Sequence, residues 1–303
     1  MEKLTINGIG ITELGAILAP ESYKSVLQWA KFKSIASNDW AEHNYAEYDL
    51  SKPTLDKRSV TLNFHAKGEN GYRQVINYLL EYVYSFYEFP ELGITLRMRV
   101  DGNSLSSVEG TWQSFSVNFV DDAPYRQQAA VVSLQNFKLT GYTLDGTDLA
   151  KYGIAILKGT LQSVIPKSSV KERLTISENS MDGAFYDSRG VIRLKPQSIT
   201  LKCLLRAQTL PVAVANFFYL LELFKQSGKR RIFVEILQDT IDCFYSSCTV
   251  GAVHKQLNSG NAGIAFNVTV NVIKRNVTTV LGSDDLTKAL VKDTELETYL
   301  IGD

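Results

Sequence analysis

The chain repeats itself once, and that repeat limits what it can fold into. Asn7-Gly8 is followed by Leu14-Gly15, and Asp145-Gly146 by Tyr152-Gly153, both at an offset of 138 (146 − 8, 153 − 15). Ser59-Val60-Thr61-Leu62 returns as Ser198-Ile199-Thr200-Leu201, offset 139 (198 − 59). Tyr78-Leu79-Leu80-Glu81 returns as Tyr219-Leu220-Leu221-Glu222, offset 141 (219 − 78). Solenoid repeats run to roughly 20–50 residues, so a period this long marks a duplicated domain. Its 303 residues are enough for two domains of about 100–150 residues, each with its own core.

Between the repeated words the pattern is that of strands. Val60, Leu62 and Phe64 alternate with Ser59, Thr61 and Asn63. Ile94 to Val100, Phe115 to Phe119 and Phe266 to Val270 alternate in the same way, the period-two signature of sheets wet on one face. Each half carries one amphipathic run. Gly71–Tyr87 puts Val75, Ile76, Leu79, Leu80, Val83 and Tyr84 at helical spacing. Pro211 opens a second helix with Val214, Phe217, Phe218, Leu221 and Phe224 on one stripe and Gly228 as its stop. The order strands, helix, strands predicts a mostly β (α+β) fold of two tandem duplicated β-barrel or sandwich domains, each with one packed α-helix. The expected boundaries are 1–124, 125–275 and a C-terminal tail, 276–303, with a short helix begun at Ser283-Asp284-Asp285. The second copy is longer, and the extra residues are expected in Asp239–Gly263, as an added strand around Cys243–Val250 and a Gly/Asn/Ser loop.

The turns explain the glycines. Asn-Gly and Asp-Gly suit the positive φ of tight hairpins, so Gly8, Gly10 and Gly15 are turn residues and not a phosphate cradle. Two long polar and aromatic stretches, Pro20–Lys57 and Lys158–Pro196, exceed ordinary loops. Tyr23, Ser25, Leu27 and Trp29 alternate, which predicts an extended arm. An arm so rich in aromatics must bury them, against its own domain or a neighbouring subunit. Trp29, Phe32, Trp40, Tyr45, Tyr48, Phe185 and Tyr186 are the candidate subunit-interface residues.

Chemistry is sparse. Lys+Arg and Asp+Glu are each 32, which removes the electrostatic case for a dedicated nucleic-acid or anionic-membrane binder. Lys229-Arg230-Arg231 is the one tight basic cluster and sits between a helix end and a strand. Cys203, Cys243 and Cys248 lack metal-ligand spacing, and His43, His65 and His254 are scattered. Asp121-Asp122 suits a boundary turn and Asp284-Asp285 a helix start; His43 suits a surface position and Cys248 a small buried one. No catalytic, cofactor-binding or metal-binding residues are expected. No run reaches the ~18–20 apolar residues of a membrane span, and the first residues lack a signal-peptide core.

Ile6-Asn7-Gly8, Leu14-Gly15, Ser59–Phe64 and Tyr72–Tyr84, with their second-half repeats, resemble the tail-tube β-barrel. That fold is shared by phage tail tube proteins, the N-terminal domain of distal tail (Dit-like) proteins and baseplate hubs. The resemblance implies a non-enzymatic structural component of a phage or prophage tail tip, in the virion tail and made in the bacterial host cytoplasm. It implies a ring continuing the tail tube, in which three chains supply six tube-like domains. Implied partners are the chain itself and other tail proteins, with no cofactor, no membrane anchoring and no specific nucleic-acid binding. The alternatives are a tandem-barrel soluble module binding carbohydrate or peptide, and an enzyme with a site between the barrels.

Overall fold

The computed structural model describes residues 3–68, 70–124, 138–166, 168–172, 175–180, 182–186, 191–257 and 261–277. The first half runs β1 (Thr5–Ile6), β2 (Ile9–Gly10), β3 (Ala16–Leu18), α1 (Ser22–Leu27), β4 (Ser37–Asn38) and β5 (Glu47–Tyr48). It continues with β6 (Arg58–Lys67), α2 (Gly71–Leu80), β7 (Ser85–Phe89), β8 (Ile94–Glu109) and β9 (Trp112–Asp121). The second half runs β10 (Tyr142–Leu144), β11 (Thr147–Asp148), β12 (Ile154–Ile156), α3 (Thr160–Val164), β13 (Thr175–Ile176) and β14 (Phe185–Tyr186). Then come β15 (Gln197–Ala207), α4 (Leu210–Lys225), β16 (Arg230–Val234), β17 (Asp239–His254) and β18 (Ala262–Val277). The tail helix expected at Ser283 lies outside the described residues.

The fold is mostly β, built of antiparallel sheets with helices packed on them. Each half forms a seven-stranded sheet, in the order β2-β1-β7-β8-β9-β6-β3 and β11-β10-β16-β17-β18-β15-β12. Position by position the two orders are the same. The likeness extends to irregularities. The β8–β9 ladder shifts register at Val100/Gly102 and Leu105/Ser107, and β17–β18 shifts at Tyr245/Ser247 and Val250/Ala252, both at offset 145 (245 − 100, 250 − 105). Bulges bend and twist a strand where they fall, so both sheets bend at these two places, and β17–β18 has one further shift at Asp242/Cys243.

Alternation places the core. Val60, Leu62, Phe64 and Ala66 of β6 face Phe115, Val117 and Phe119 of β9 within the first half, all buried. Ile199, Leu201, Cys203 and Leu205 of β15 do the same with Phe266, Val268 and Val270 of β18. Asn7 and Asp145 hold φ of 51° and 50°, and Gly8 and Gly146 follow at 85° and 83°. These are the two left-handed positions that a primed hairpin turn requires.

Four sequence expectations change. Tyr23 to Trp29 is not an extended arm at its start: Ser22–Leu27 is helical, with Tyr23, Val26 and Leu27 on its buried side. Positions 23, 26 and 27 fit a helix face as well as alternation does, and the short run does not discriminate. Each half therefore carries a second, short helix. The helix expected over Gly71–Tyr87 ends at Leu80, and Ser85, Tyr87 and Phe89 turn inward from β7. The strand around Cys243–Val250 is no addition. It belongs to β17, the 16-residue counterpart of the 16-residue β8. The extra length lies partly in the helix, where α4 has 16 residues to the 10 of α2, and partly at the β17–β18 tip. Finally, the buried apolar side chains of both halves form one connected core rather than two.

Candidate assembly surface

The join begins at an unfinished sheet edge. β3 pairs with β6 only from Phe64 to Ala66, which leaves the outer backbone groups of Asn63 and Thr61 without a strand. Buried backbone groups must find partners, and α1 supplies them. Ser22 Oγ accepts from the Asn63 N–H at 2.9 Å, and Ser25 Oγ accepts from the Thr61 N–H at 2.7 Å. The second half uses the same device: Thr160 Oγ1 accepts from the Lys202 N–H at 2.9 Å, and Ser163 Oγ from the Thr200 N–H at 2.8 Å. Both arms thus leave their sheets from the same root.

A buried ion pair fixes each root. Arg58 donates to Asp121 at 3.1 Å and to the Val26 carbonyl at 2.9 Å, and also reaches the Gln28 carbonyl. In the second half Arg275 pairs with Asp239 and donates to the Pro166 carbonyl at 3.0 Å. Pro166 is the counterpart of Gln28 (166 − 28 = 138). The arginine comes from a different strand in each half, yet it clamps the same turn of chain.

The first arm then crosses onto the second half. Trp29, 2% exposed, stacks against Phe217 of α4 at 4.7 Å between ring centroids, against Tyr245 of β17 at 5.7 Å and against Phe266 of β18 at 6.1 Å. Phe32 meets Tyr245 edge-on at 5.2 Å, and Tyr48 meets Phe244 at 4.6 Å. Tyr245 donates its hydroxyl to the Ala30 carbonyl at 3.0 Å. β16 pairs with β17 only as far as Cys243, so the β17 edge beyond it lacks a strand. Gln28 fills that gap with its side-chain amide, donating to the Cys248 carbonyl and accepting from the Val250 N–H at 3.4 Å.

Of the seven candidate interface residues, Trp29, Phe32 and Tyr48 are therefore used within the chain. Tyr45 is half-buried against the core, its N–H bonded to the Leu194 carbonyl at 2.9 Å. Burial raises the pKa values of the Tyr45 and Tyr48 hydroxyls. Trp40 stays 52% exposed while its carbonyl accepts from Lys171 at 2.6 Å. Phe185 and Tyr186 form β14, paired with Ile176 and Thr175. Sequence reasoning did not find Gln28, Phe244 or Tyr245. A position-by-position comparison of the repeats carries the signal, since Tyr245 stands where the first half has Val100.

The groups weighed for chemistry are occupied elsewhere. A depression of about 400 Å³ is lined by Asp145, Gly146, Lys229, Arg231 and Asp242. Both of its cations pair with Asp242, Lys229 at 2.5 Å and Arg231 at 3.4 Å, and the neighbouring Arg230 pairs with Asp145 at 3.1 Å. Asp122 pairs with Arg99 at 2.8 Å, and that hydrogen bond lowers its pKa. All three cysteines are buried, and desolvation pushes their thiols up. Among the described residues no three His, Cys, Asp or Glu side chains are grouped to hold a metal. No helix there is long and apolar enough to cross a membrane.

No family model matches this chain, and no curated protein does. Among solved structures it is similar to one titled as the crystal structure of the SPP1 Dit protein, "a Paradigm of Hub Adsorption Apparatus in Gram-positive Infecting Phages". The likeness covers 90% of this chain and 98% of that one, at 9% identity and a TM-score of 0.31.

Proposed function

We propose that this chain is a non-enzymatic structural component of a phage or prophage tail tip, a baseplate hub or distal tail protein. It forms a ring that continues the tail tube, and three chains supply six tube-like sheets. One observation carries this reading: the duplicated sheets are joined by an arm of the first lying on the second. Such a contact is heterologous, one surface meeting a different surface, and heterologous contacts generate rings when their rotation closes. Duplication makes one such contact intramolecular and frees the two halves to diverge toward different neighbours. The partners are further copies of the chain and adjoining tail proteins, and the site of action is the virion tail.

The test is electron microscopy of intact particles carrying a tagged copy of the chain, with label at the distal end of the tail as the expected result. Label absent from tails, with the chain free in the lysate, contradicts the proposal.

A further inference from the structure

The two arms differ in how much apolar surface they bury. The first seats Trp29 among the rings of α4, β17 and β18, and Phe32 on Tyr245. In the second, Val170 holds the place of Phe32, as the isolated bridges Phe32–Leu55 and Val170–Leu194 establish. Val170 is nevertheless 43% exposed and Ile192 61% exposed, and Ile176 and Val191 of the same arm are exposed as well. Removing such side chains from water is strongly favourable, so this arm offers a surface that a matching apolar segment would cover.

The arms differ in charge too. Pro20–Lys57 holds five Lys against six Asp or Glu, a net of −1 (5 − 6). Lys158–Pro196 holds seven Lys or Arg against four Asp or Glu, a net of +3 (7 − 4). Lys171 pairs with Asp39 and Lys195 with Glu172, but Arg193, beside Ile192, forms no ion pair among the described residues. The chain that leaves β18 has the complementary character. β18 ends at Val277, opposite Asp239, and Arg275 just before it donates to the Pro166 carbonyl at 3.0 Å. Pro166 stands four residues before Val170 (170 − 166), so the chain departs from the root of the second arm. Residues 278–303 carry six Asp or Glu against two Lys, a net of −4 (2 − 6). In their sequence Leu286 and Leu290, and again Leu296 and Leu300, recur at the four-residue spacing of one helix face. Even wholly helical, a segment of that length would span about 39 Å at 1.5 Å per residue, ample to run along the arm.

We propose that residues 278–303 fold back on the second arm of their own chain, the two leucine pairs covering Val170, Ile176 and Ile192 and the carboxylates facing the arm's cations, Arg193 first. The first arm needs no such cover, because the second half already supplies it. Three separate features converge on this occupant: the place where the chain leaves β18, the apolar side chains left open beside that place, and the opposite net charges of the two segments. The proposal concerns a single chain, so it stands or falls apart from the ring and from the tail-tip reading.

The test uses the full-length double variant Ile192→Cys, Leu290→Cys, treated at low micromolar concentration with a short bismaleimide. The three native cysteines are buried, so the new thiols react first. The expected result is a bridge within one chain, read by mass spectrometry as a cross-linked peptide from protein of monomer mass. Adding Leu286→Ser and Leu296→Ser should cut its yield about tenfold or more, the weight of a lost buried leucine. The pair Val83→Cys, Leu290→Cys, whose first site is also exposed, should give no bridge. Absence of the bridge at position 192 overturns the proposal. So does a bridge that forms equally at position 83, or one that the two serines leave unchanged, since tethering alone raises the local concentration of an undocked segment. A bridge found only between chains, at dimer mass, overturns the assignment to the same chain.

Discussion

The two halves share strand order, bulges, turn geometry and arm roots, and they differ in what covers them. The second half has a 16-residue helix, aromatic rings at Phe217 and Tyr245, and an arm from the first half seated across them. The first half has a 10-residue helix, an exposed Leu80 in its copy of the Tyr-Leu-Leu-Glu repeat, and an exposed Leu105 where the second half has buried Val250. Common features report what the sheet needs in order to fold. The differences report what each copy meets: the rings of Phe217 and Tyr245 in the second half pack on the arm of the first. Equal effects at paired positions therefore test the shared fold, and unequal ones test the covered surface.

The largest inequality belongs to Trp29 and Leu221. Trp29→Ala should destabilise by about 3–5 kcal/mol and Leu221→Ala by about 2–5 kcal/mol, through lost burial and the cavity left behind. Leu80→Ala, the repeat partner of the latter, should stay within about 0.5 kcal/mol in the isolated chain. Urea unfolding of the three variants decides it. Comparable losses at Leu80 and Leu221 would break the comparison. Trp29→Phe, which keeps most of the volume, should cost no more than about 1.5 kcal/mol.

Equal losses are expected at the arm roots. Asp121→Ala and Asp239→Ala each remove one member of a buried ion pair with arginine. Each should cost about 3–5 kcal/mol by leaving a charge without its carboxylate. A loss confined to one half would mean that only one arm is clamped. The turns are the next pair. Gly8→Ala and Gly146→Ala place a side chain at φ near +85°, and both should lose on the order of 1 kcal/mol in thermal or urea melts.

The smallest effect sits on the seam. Glu91 of the first half accepts from Lys255 of the second half and from Tyr23. Burial alone would raise its pKa, but the Lys255 ammonium and the Tyr23 hydroxyl outweigh it, and the net shift is downward. A depressed carboxyl contributes stability above its unfolded pKa of about 4.3 and loses it as pH falls through the folded value. With Lys255 half in solvent, the contribution is on the order of 0.2–1 kcal/mol. Glu91→Gln should therefore be less stable than the parent at pH 7, by urea midpoints, and the difference should shrink as pH falls below about 4.

Much of this was legible in the sequence because it is local. Asn-Gly and Asp-Gly named their turns, alternation named the faces of β6, β9, β15 and β18, and offsets near 139 named the duplication. What was not legible is what depends on distant partners. Trp29 announced that it needed burial, but its partners Phe217, Tyr245 and Phe266 lie far along the chain, and nothing near Trp29 points to them. The Ser22 and Ser25 hydroxyls serve a sheet edge that exists only because β3 is short. The end of α2 at Leu80 was hidden because Val83 and Tyr84 continue its period while Ser85 to Phe89 answer to the sheet.

Sedimentation velocity at high concentration tests the ring most directly. The parent should run as a closed trimer. A monomeric parent would contradict it.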